Sequence, residues 1–288
     1  MSQISPILPI VLSSGVRTLE LNRPLIMGIL NLTPDSFYDG GKHSISETVA
    51  LNRVKEIIQQ GARIIDIGGT SSKPGAPIID PEEEQQRLLP FFNAIRTAFP
   101  DVWISIDTYH SSTAAICLQN GADIVNDISA GTIDENIFKV TADFNCPYIL
   151  LHMQGVPGTM QNEPSYSNVV EHISQFFKEK IQLLNKNGVK QIILDPGFGF
   201  GKTVEHNYAI LKNLNQFQID LQLPVLAGIS RKSMINKVIG TKPEDALNGT
   251  TALHMIALMN GASILRVHDV KEAHQAILLF EKYKTTNN

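Results

Sequence analysis

Side chains that bind charge or form hydrogen bonds occur directly after several short apolar segments of this sequence. Asp107, Asn126 and Asp195 each follow such a segment, and Lys232 lies three residues beyond another. A carboxylate accepts two parallel N–H hydrogen bonds and an amide both donates and accepts, so this set suits a planar ring rich in nitrogen. Lys232 would donate to a carbonyl or ring nitrogen of the same ligand. We therefore predict a binding site for a polar heterocycle.

Simpler structural roles are also open to these residues. Aspartate is a common helix cap, which is the alternative role for Asp107 and Asp195. Ser111 and Ser112 are available to cap the helix after Asp107, which leaves that carboxylate free for a ligand. The segment Ser230-Arg231-Lys232 is also typical of a solvated helix start.

A second cluster of residues is suited to an anion. Arg266 and His268 alternate at the end of the last apolar segment, so their side chains point to the same side. With Asn31 and the serines of the second loop they could hold a phosphate, which in barrel enzymes commonly lies beside the last two strands. A lone histidine is often structural, and the neighbouring arginine makes the binding role equally plausible. The sequence lacks a zinc-type cluster, and a metal held by one side-chain oxygen plus substrate phosphates would be Mg²⁺.

The glycine-rich segment from Asp195 to Thr203 resembles a phosphate-binding loop without matching it. That motif requires glycine at position 196, where this chain has Pro196, and the glycine spacing does not fit a dinucleotide site either. We interpret the segment as an active-site loop in which the glycines let the backbone approach a ligand and Phe198 or Phe200 forms an apolar wall. A turn-rich surface loop is the alternative.

The elements that must position these residues are indicated by eight apolar segments with room for a helix between them. They are Leu25–Leu30, Ile64–Ile67, Val102–Ile106, Asp123–Val125, Tyr148–Leu151, Gln191–Leu194, Val225–Ile229 and Ser263–Val267. Strands that alternate with helices are parallel, and their carboxyl ends all emerge on one face. This pattern predicts an α/β fold, a single (β/α)8 TIM barrel domain over residues 1–288, with the site at that face.

Local signals add helix boundaries and a hairpin. Glycine closes a helix without a Cβ clash, which predicts helix ends at Gly61, Gly121, Gly188 and Gly261. The apolar spacing from Val169 to Leu184 predicts one amphipathic helix. Ser44 with Glu47 forms a capping box for another helix that runs to about Gln60. Within the N-terminal extension 1–22, residues 10–22 are predicted to form a β-hairpin that closes the barrel floor.

Composition excludes several classes of protein. The chain has 288 residues, of which 43% are hydrophobic and 18% charged, and its formal charge of −4 provides no basic surface for nucleic acid. No apolar run approaches the roughly 18 residues that a membrane span needs. Cys117 and Cys146 have no paired spacing and are expected to be reduced packing residues, as in a cytoplasmic protein.

Taken in order, eight motifs resemble those of the dihydropteroate synthases, members of the pterin-binding barrel family. They are Met27–Phe37, Asp66–Gly69 with Pro74–Ala76, Ile106–Thr108, Asn126–Ile128, His152–Gly155, Asp195–Lys202, Ser230–Ser233 and Arg266–Asp269. Each motif alone is weak, but the ordered set spans nearly the whole chain and is highly specific.

The resemblance implies a transferase of folate biosynthesis, a class of sulfonamide target. The reaction joins 4-aminobenzoate to 6-hydroxymethyl-7,8-dihydropterin diphosphate and releases diphosphate with Mg²⁺ as cofactor. The residues implied for pterin binding are Asp107, Asn126, Met153, Asp195 and Lys232. Those implied for aminobenzoate are Ser72, Pro74, Phe200 and Ser230, and those for diphosphate are Asn31, Ser72, Arg266 and His268, with the metal on Asn31. The implied catalytic set is Asp107, Asp195, Lys232, Arg266 and His268. A cytoplasmic homodimer is expected.

The second loop departs from the family pattern. This chain has Gly-Gly-Thr-Ser-Ser-Lys-Pro-Gly at 68–75, where relatives often have Gly-Gly-Glu-Ser-Thr-Arg-Pro-Gly. Ser72 lacks the threonine methyl group, and Lys73 offers a point charge in place of a planar guanidinium. We therefore expect Lys73→Ala to raise mainly the Michaelis constant for aminobenzoate.

Three other functions suit such a barrel. Methyltetrahydrofolate-dependent corrinoid methyltransferases share the pterin-holding barrel but bind no diphosphate, so Arg266 and His268 argue against them. A non-catalytic pterin-binding protein would have little use for Asn31 together with both cations. A phosphosugar isomerase or aldolase normally needs a glutamate base or a Schiff-base lysine at a strand end, whereas Lys232 lies beyond its strand.

Overall fold

Eight parallel strands wrap into a nearly closed barrel with helices on its outer surface. The computed structural model describes residues 10–32, 46–70, 77–155, 158, 160 and 164–286. The barrel strands are β3 Leu25–Asn31, β4 Ile64–Gly68, β5 Trp103–Asp107, β6 Ile124–Asp127, β7 Tyr148–Leu151, β8 Ile192–Asp195, β9 Leu226–Ala227 and β10 Ile264–Val267. They are ordered β8-β7-β6-β5-β4-β3-β10-β9, and a parallel bridge between Leu194 and Val225 joins the two ends. The predicted strands and barrel are confirmed.

Helices follow the strands as the alternating pattern requires. They are α1 Glu47–Gln59, α2 Pro81–Ala98, α3 Ser111–Gln119, α4 Asn136–Asp143, α5 Val169–Lys186, α6 Val204–Lys212, α7 Leu214–Leu221, α8 Ser233–Ile239, α9 Leu247–Met259 and α10 Val270–Thr285, with a 3-10 turn at Pro243–Asp245. In the part of the chain that the structure describes, no helix combines the length and the apolar character needed to cross a membrane.

Most predicted helix boundaries are confirmed, and two are wrong. Positive φ angles at Gly61, Gly121, Gly188 and Gly261 lie beyond the ends of α1, α3, α5 and α9, as the sequence predicted. The N-cap of α1 is Ser46, whose hydroxyl accepts a hydrogen bond from the Val49 amide; Ser44 lies outside the described residues. Neither Ser111 nor Ser112 caps α3, because the carboxylate of Asp134 accepts from the Ser111 amide and replaces a serine cap.

The predicted hairpin is present and closes the lower end of the barrel. Strands β1 Ile10–Ser14 and β2 Arg17–Leu21 pair antiparallel. Leu12 and Leu19 from the hairpin are buried against inward-facing residues near the amino ends of the barrel strands, including Ile64 and Trp103. A larger apolar cluster lies between the outer side of the strands and the helices. The barrel interior is therefore apolar at its base.

Candidate active site

Polar side chains occupy the barrel interior one layer above this apolar floor. Successive residues of a strand face opposite sides, so a residue two positions after a floor residue also faces inward. Counting in this way from floor residues Ile64, Trp103, Ile124, Ile193 and Ile264 gives Asp66, Ser105, Asn126, Asp195 and Arg266. All five except Arg266 are buried, and Arg266 is half-buried. The alternation of the strands thus brings two carboxylates, an amide and a guanidinium into one layer.

Arg266 lies between two carboxylates. Its Nε donates to Asp66 Oδ2 at 2.7 Å and its Nη2 donates to Asp107 Oδ2 at 2.8 Å. These charge-assisted bonds are the strong kind, and the carboxylates raise the pKa of Arg266 above its usual value against the opposing effect of burial. His268, the predicted neighbour, follows the last residue of the strand, and partial desolvation together with the charge of Arg266 lowers the pKa of its imidazole to about 4. The guanidinium of Arg266 thus makes its hydrogen bonds to carboxylates in the barrel interior, while its charge also acts on His268.

Asn126 is held by the same acidic centre. Its Nδ2 lies 3.3 Å from Asp66 Oδ1 and 3.2 Å from Asp66 Oδ2. Its Oδ1 is buried and accepts no hydrogen bond from the described residues. Since a buried acceptor without a partner costs free energy, this oxygen is an acceptor available to a ligand.

Asp195 and Lys232 face each other across a small open space. Asp195 Oδ1 accepts from the Gly197 amide at 2.8 Å, while Lys232 Nζ donates to the Phe198 carbonyl and lies 4.7 Å from the centroid of the Phe200 ring. Both Asp195 Oδ2 and Lys232 Nζ lie 3.8 Å from the position that a Cβ on Gly228 would take. Glycine at 228 therefore leaves room between the two charged groups.

Burial shifts the proton affinities of these groups in opposite directions. It raises the pKa of Asp107 to about 7, although the Arg266 charge opposes the shift. It raises the pKa of Asp195 against the opposing charge of Lys232. It lowers the pKa of Lys232 to about 8. Such opposed shifts in one cavity are a common mark of a functional site.

An apolar wall borders the charged layer. It consists of Tyr109, Ile128, Leu151, Met160 and Phe200, all buried, with Met153 packed partly buried against them. The wall gives a flat ring a surface for stacking next to the acceptors of Asn126 and Asp195. Met153 and Phe200, both predicted from the sequence, lie on this wall.

The glycine-rich loop is fixed from below by a lysine that the sequence analysis did not select. The Nζ of Lys202 is buried and donates to the carbonyls of Gly197 and Phe200, each at 2.9 Å, and of His152 at 3.1 Å. It also lies 3.0 Å from His152 Nδ1, which accepts because burial lowers the pKa of that imidazole to about 2. Burial likewise lowers the pKa of Lys202 well below its usual value.

Gly197 of this loop also allows close packing within the protein. Gly197 has φ +68°, and a Cβ there would lie 2.0 Å from the His152 carbonyl oxygen. The expected approach of backbone to a ligand is therefore wrong for Gly197, which instead lets the loop pack on the end of β7. Together with the Lys202 contacts, this packing fixes Phe198 and Phe200 relative to Lys232.

Three other predicted residues, Asn31, Ser230 and His268, lie at the upper rim. The Ser230 hydroxyl lies 3.0 Å from His268 Nδ1 and accepts from the His268 amide at 3.2 Å, and His268 is exposed. Asn31 is half-buried at the end of β3, opposite Gly68. Ser72 and Pro74, predicted for aminobenzoate, lie outside the described residues, as does Lys73. Among the residues that the structure describes, no three His, Cys, Asp or Glu side chains converge as a metal site.

Comparison with known proteins agrees with this geometry. Residues 27–268 match the family model described as "Pterin binding enzyme". The chain is 43% identical over 266 residues to the dihydropteroate synthase of Escherichia coli strain K12, covering 92% of this chain and 93% of that protein. It is 44% identical over 256 residues to the dihydropteroate synthase of Synechocystis, covering 88% of each.

Two solved structures give the same result. The crystal structure of Yersinia pestis dihydropteroate synthase with a sulfonamide drug complex superposes with a TM-score of 0.90 at 39% identity, covering 96% of this chain and 100% of that one. Xanthomonas albilineans dihydropteroate synthase with 4-aminobenzoic acid also gives 0.90, at 34% identity, covering 97% and 100%. This chain therefore belongs to the pterin-binding enzyme family and, within it, to the transferases known as dihydropteroate synthases.

Proposed function

We propose that this chain, acting as a single domain, condenses 4-aminobenzoate with 6-hydroxymethyl-7,8-dihydropterin diphosphate to give 7,8-dihydropteroate and diphosphate. The observation that carries the proposal is the convergence of Asn126, Asp107, Asp195 and Lys232 around Asp66 and Arg266, next to the apolar wall that contains Phe200. A pterin combines a flat apolar face with an amino group, ring N–H donors and a carbonyl. The apolar wall suits the face, the acceptors of Asn126 and Asp195 suit the N–H groups, and the Lys232 donor suits the carbonyl.

Recognition of the pterin follows from the free hydrogen-bonding groups. Asn126 Oδ1 and the second oxygen of Asp195 accept N–H bonds, and Asp195 as a carboxylate can take two in parallel. Lys232 donates to the ring carbonyl in place of its bond to the Phe198 carbonyl. Asp107 accepts from the Arg266 guanidinium, whose other carboxylate partner is Asp66. Met153 covers one face of the pterin ring.

The chemical step consists of loss of diphosphate and attack by the arylamine. An arylamine is neutral at physiological pH, so the nucleophile needs no general base, and the difficult event is departure of the leaving group. Positive charge that develops on the pterin methylene carbon is stabilised by the buried carboxylates Asp107 and Asp195, more in the transition state than in the ground state. We propose that bond breaking precedes bond making.

The diphosphate tail would lie near Asn31 and His268 at the rim, with Arg266 below them in the interior layer. Ser72, which lies outside the described residues, stays a predicted contact. Asn31 offers one hard amide oxygen, which would suit Mg²⁺ held mainly by substrate phosphates and water. When bound, the ion would neutralise charge on the departing diphosphate. His268, kept in place by Ser230, supplies a further hydrogen-bond donor at this end.

Aminobenzoate would lie above the pterin, against Phe200 and Ser230; Ser72 and Pro74, which lie outside the described residues, stay predicted contacts. Phe200 lies against the Lys232 ammonium, and the edge of its ring would contact the aromatic ring of aminobenzoate. Sulfonamides, which one relative binds, would compete for this place.

The test is release of diphosphate by purified protein supplied with the pterin diphosphate, aminobenzoate and Mg²⁺. We expect fast release only when both organic substrates are present, with a slow residual release from the pterin diphosphate alone. Tight pterin binding without release would favour the non-catalytic alternative. Slow release without aminobenzoate, with the hydroxymethylpterin as co-product, supports bond breaking first; strict dependence on the arylamine contradicts that order.

We also propose a cytoplasmic homodimer. The outer helices α9 and α10 carry exposed apolar side chains, namely Ile256, Met259, Leu278, Leu279 and Tyr283. Burying such a surface between two copies is favourable. The two cysteines of the chain are free and buried, as expected for a reducing compartment. Sedimentation velocity should give twice the chain mass, and Leu279→Glu should shift the protein towards the monomer; a monomeric parent protein would refute the dimer.

A further inference from the structure

Asp66 is the shared partner of two residues assigned to the site. It is 1% exposed, inside the barrel, and accepts hydrogen bonds from Arg266 Nε and from Asn126 Nδ2. No ligand role is assigned to Asp66 above, because both of its oxygens already have protein partners. Because Asp66 lies between Asn126 and Arg266, it nevertheless determines which atom of the Asn126 amide faces the cavity.

The polarity of this network follows from the chemistry of its members. The guanidinium of Arg266 only donates, and an ionised carboxylate only accepts. The amide of Asn126 can turn either its NH2 or its oxygen towards Asp66, but only the NH2 makes a hydrogen bond there. The oxygen must then face the cavity, where Asn126 Oδ1 has no partner among the described residues.

We propose that Asp66 is a specificity-determining positioning residue, which forces Asn126 to present an acceptor and so selects a ring that carries an amino group at that point. The inference rests on the proposed function and adds to it. Asp195 takes two parallel donors, the ring N–H and one hydrogen of the 2-amino group, and the second amino hydrogen is left for Asn126 Oδ1. The selected feature is therefore the 2-amino group.

The substitution Asp66→Asn reverses this polarity. The new side chain has one acceptor and one donor group, and the donor-only Arg266 Nε requires the oxygen. The new NH2 then takes the place of Oδ1, 3.3 Å from the NH2 of Asn126, and rotation of the Asn126 amide replaces this contact between two donors with a hydrogen bond. Asn126 would turn its own NH2 to the cavity, opposite the amino group of the ligand. The change is nearly isosteric, and Arg266 keeps its ion pair with Asp107.

The experiment compares binding of 6-hydroxymethylpterin with that of its 2-oxo counterpart by calorimetry. We expect the parent protein to prefer the 2-amino compound and Asp66→Asn to lower this preference at least tenfold, since one buried bond is replaced by two opposed donors. Ser174→Ala is the matched control, because Ser174 is buried on helix α5 outside the barrel interior and its hydroxyl has no partner in the described chain. Its preference should match the parent.

A double-mutant cycle separates a positioning role from a merely structural one. In an Asn126→Ala background, Asp66→Asn should leave the 2-amino to 2-oxo ratio unchanged, because the group through which it acts is absent. If Asp66→Asn does not fold, Asp66→Ser, which both donates and accepts, takes its place and should still lower the preference. Failure of the parent protein to bind either pterin refutes the proposed function. Binding by the parent with an unchanged ratio in the Asp66 variant overturns this inference alone.

Discussion

The carboxylate of Asp195 is oriented by one hydrogen bond from the protein and keeps acceptor capacity on both oxygens. Oδ1 accepts from the Gly197 amide and so orients the group, while Oδ2 faces the space beside Lys232. This arrangement explains why a strand-end aspartate, which could have been a helix cap, is positioned for a ligand. A substitution that removes the charge of Asp195 but keeps its hydrogen bond to Gly197 therefore tests the charge separately from the geometry.

Replacing Asp195 with asparagine should weaken binding of the pterin diphosphate by about 10- to 150-fold. Hydrogen bonds to charged groups contribute about 1.5–3 kcal/mol, and the amide keeps the bond to Gly197 but turns a donor to the ligand. Titration calorimetry measures the affinity, and a thermal melt within a few degrees of the parent protein shows that the fold is intact. An affinity equal to that of the parent would remove Asp195 from the pterin site.

The second residue prediction concerns Lys202. Lys202→Met leaves the carbonyls of Gly197, Phe200 and His152 without their ammonium donor, so we expect a loss of several kcal/mol of unfolding free energy, at about 1–3 kcal/mol for each unsatisfied group. The displaced loop should also raise the Michaelis constants more than it lowers kcat. Urea denaturation and steady-state kinetics measure both effects.

Lys190→Met is the matched control, since Lys190 is exposed. It should change stability by less than about 0.5 kcal/mol. Equal stabilities for the two variants would contradict the assignment of Lys202 as the residue that holds the loop.

The sequence indicated some of the candidate site residues and not others, and the difference has a physical reason. Asp107, Asn126 and Asp195 stand at strand ends, where polarity departs visibly from the apolar run. Asp66 lies within the run Ile64–Ile67 and looked like an interruption, although counting two residues from an inward-facing isoleucine would have found it. Lys202 was hidden by its likeness to a phosphate-binding lysine, because burial among carbonyls cannot be seen without coordinates.

At the scale of the element, Gly28 sets the distance between β3 and α1. A Cβ at this position would lie 2.4 Å from Ile57 Cγ2, which belongs to a fully buried side chain. The strand therefore packs directly beneath the helix that follows it. Close strand–helix packing at this point keeps Asn31, three residues further on, at the rim.

We predict that Gly28→Ala destabilises the fold by about 1–3 kcal/mol through overpacking. Gly15→Ala is the contrasting variant: the Gly15 φ is +56° and nothing lies within 4 Å, so only backbone strain of about 1 kcal/mol is expected. Denaturant unfolding of both variants measures the difference. A smaller effect at Gly28 than at Gly15 would contradict the packing argument.

Element type was more predictable than element boundaries. All eight strands and the α5 helix follow from long-range burial, which leaves apolar runs and stripes in the sequence. Starts of helices depend on a few hydrogen bonds that compete locally, so Ser46 caps α1 in place of the predicted Ser44. The cap of α3 comes from Asp134, a residue 23 positions away that no local pattern could identify.

At the scale of the whole molecule, the buried carboxyl groups of the candidate site, such as Asp107, lower the free energy of unfolding. The pKa of Asp107 is raised from an ordinary value near 3.8 to about 7. The folded state therefore binds more protons than the unfolded state in this interval, and the contribution of Asp107 to stability falls as pH rises from about 4 to 7.

Asp107→Asn removes this ionisation, so we expect the variant to gain stability relative to the parent as pH increases from 5 to 8. Urea unfolding at both pH values measures the change, while activity should fall. Exposed Asp220→Asn serves as the control and should show no such trend. A difference between Asp107→Asn and parent that is the same at both pH values would refute the proton linkage.

In the part of the chain that the structure describes, the hairpin closes the lower end of the barrel, so the open end is at the carboxyl ends of the strands. Under the proposed function reactants and products would share this opening, so the pterin, placed deepest, would arrive before aminobenzoate and would be replaced only after the joined product had left. An arylamine that occupies the entrance first would therefore obstruct turnover, and excess aminobenzoate should slow the reaction.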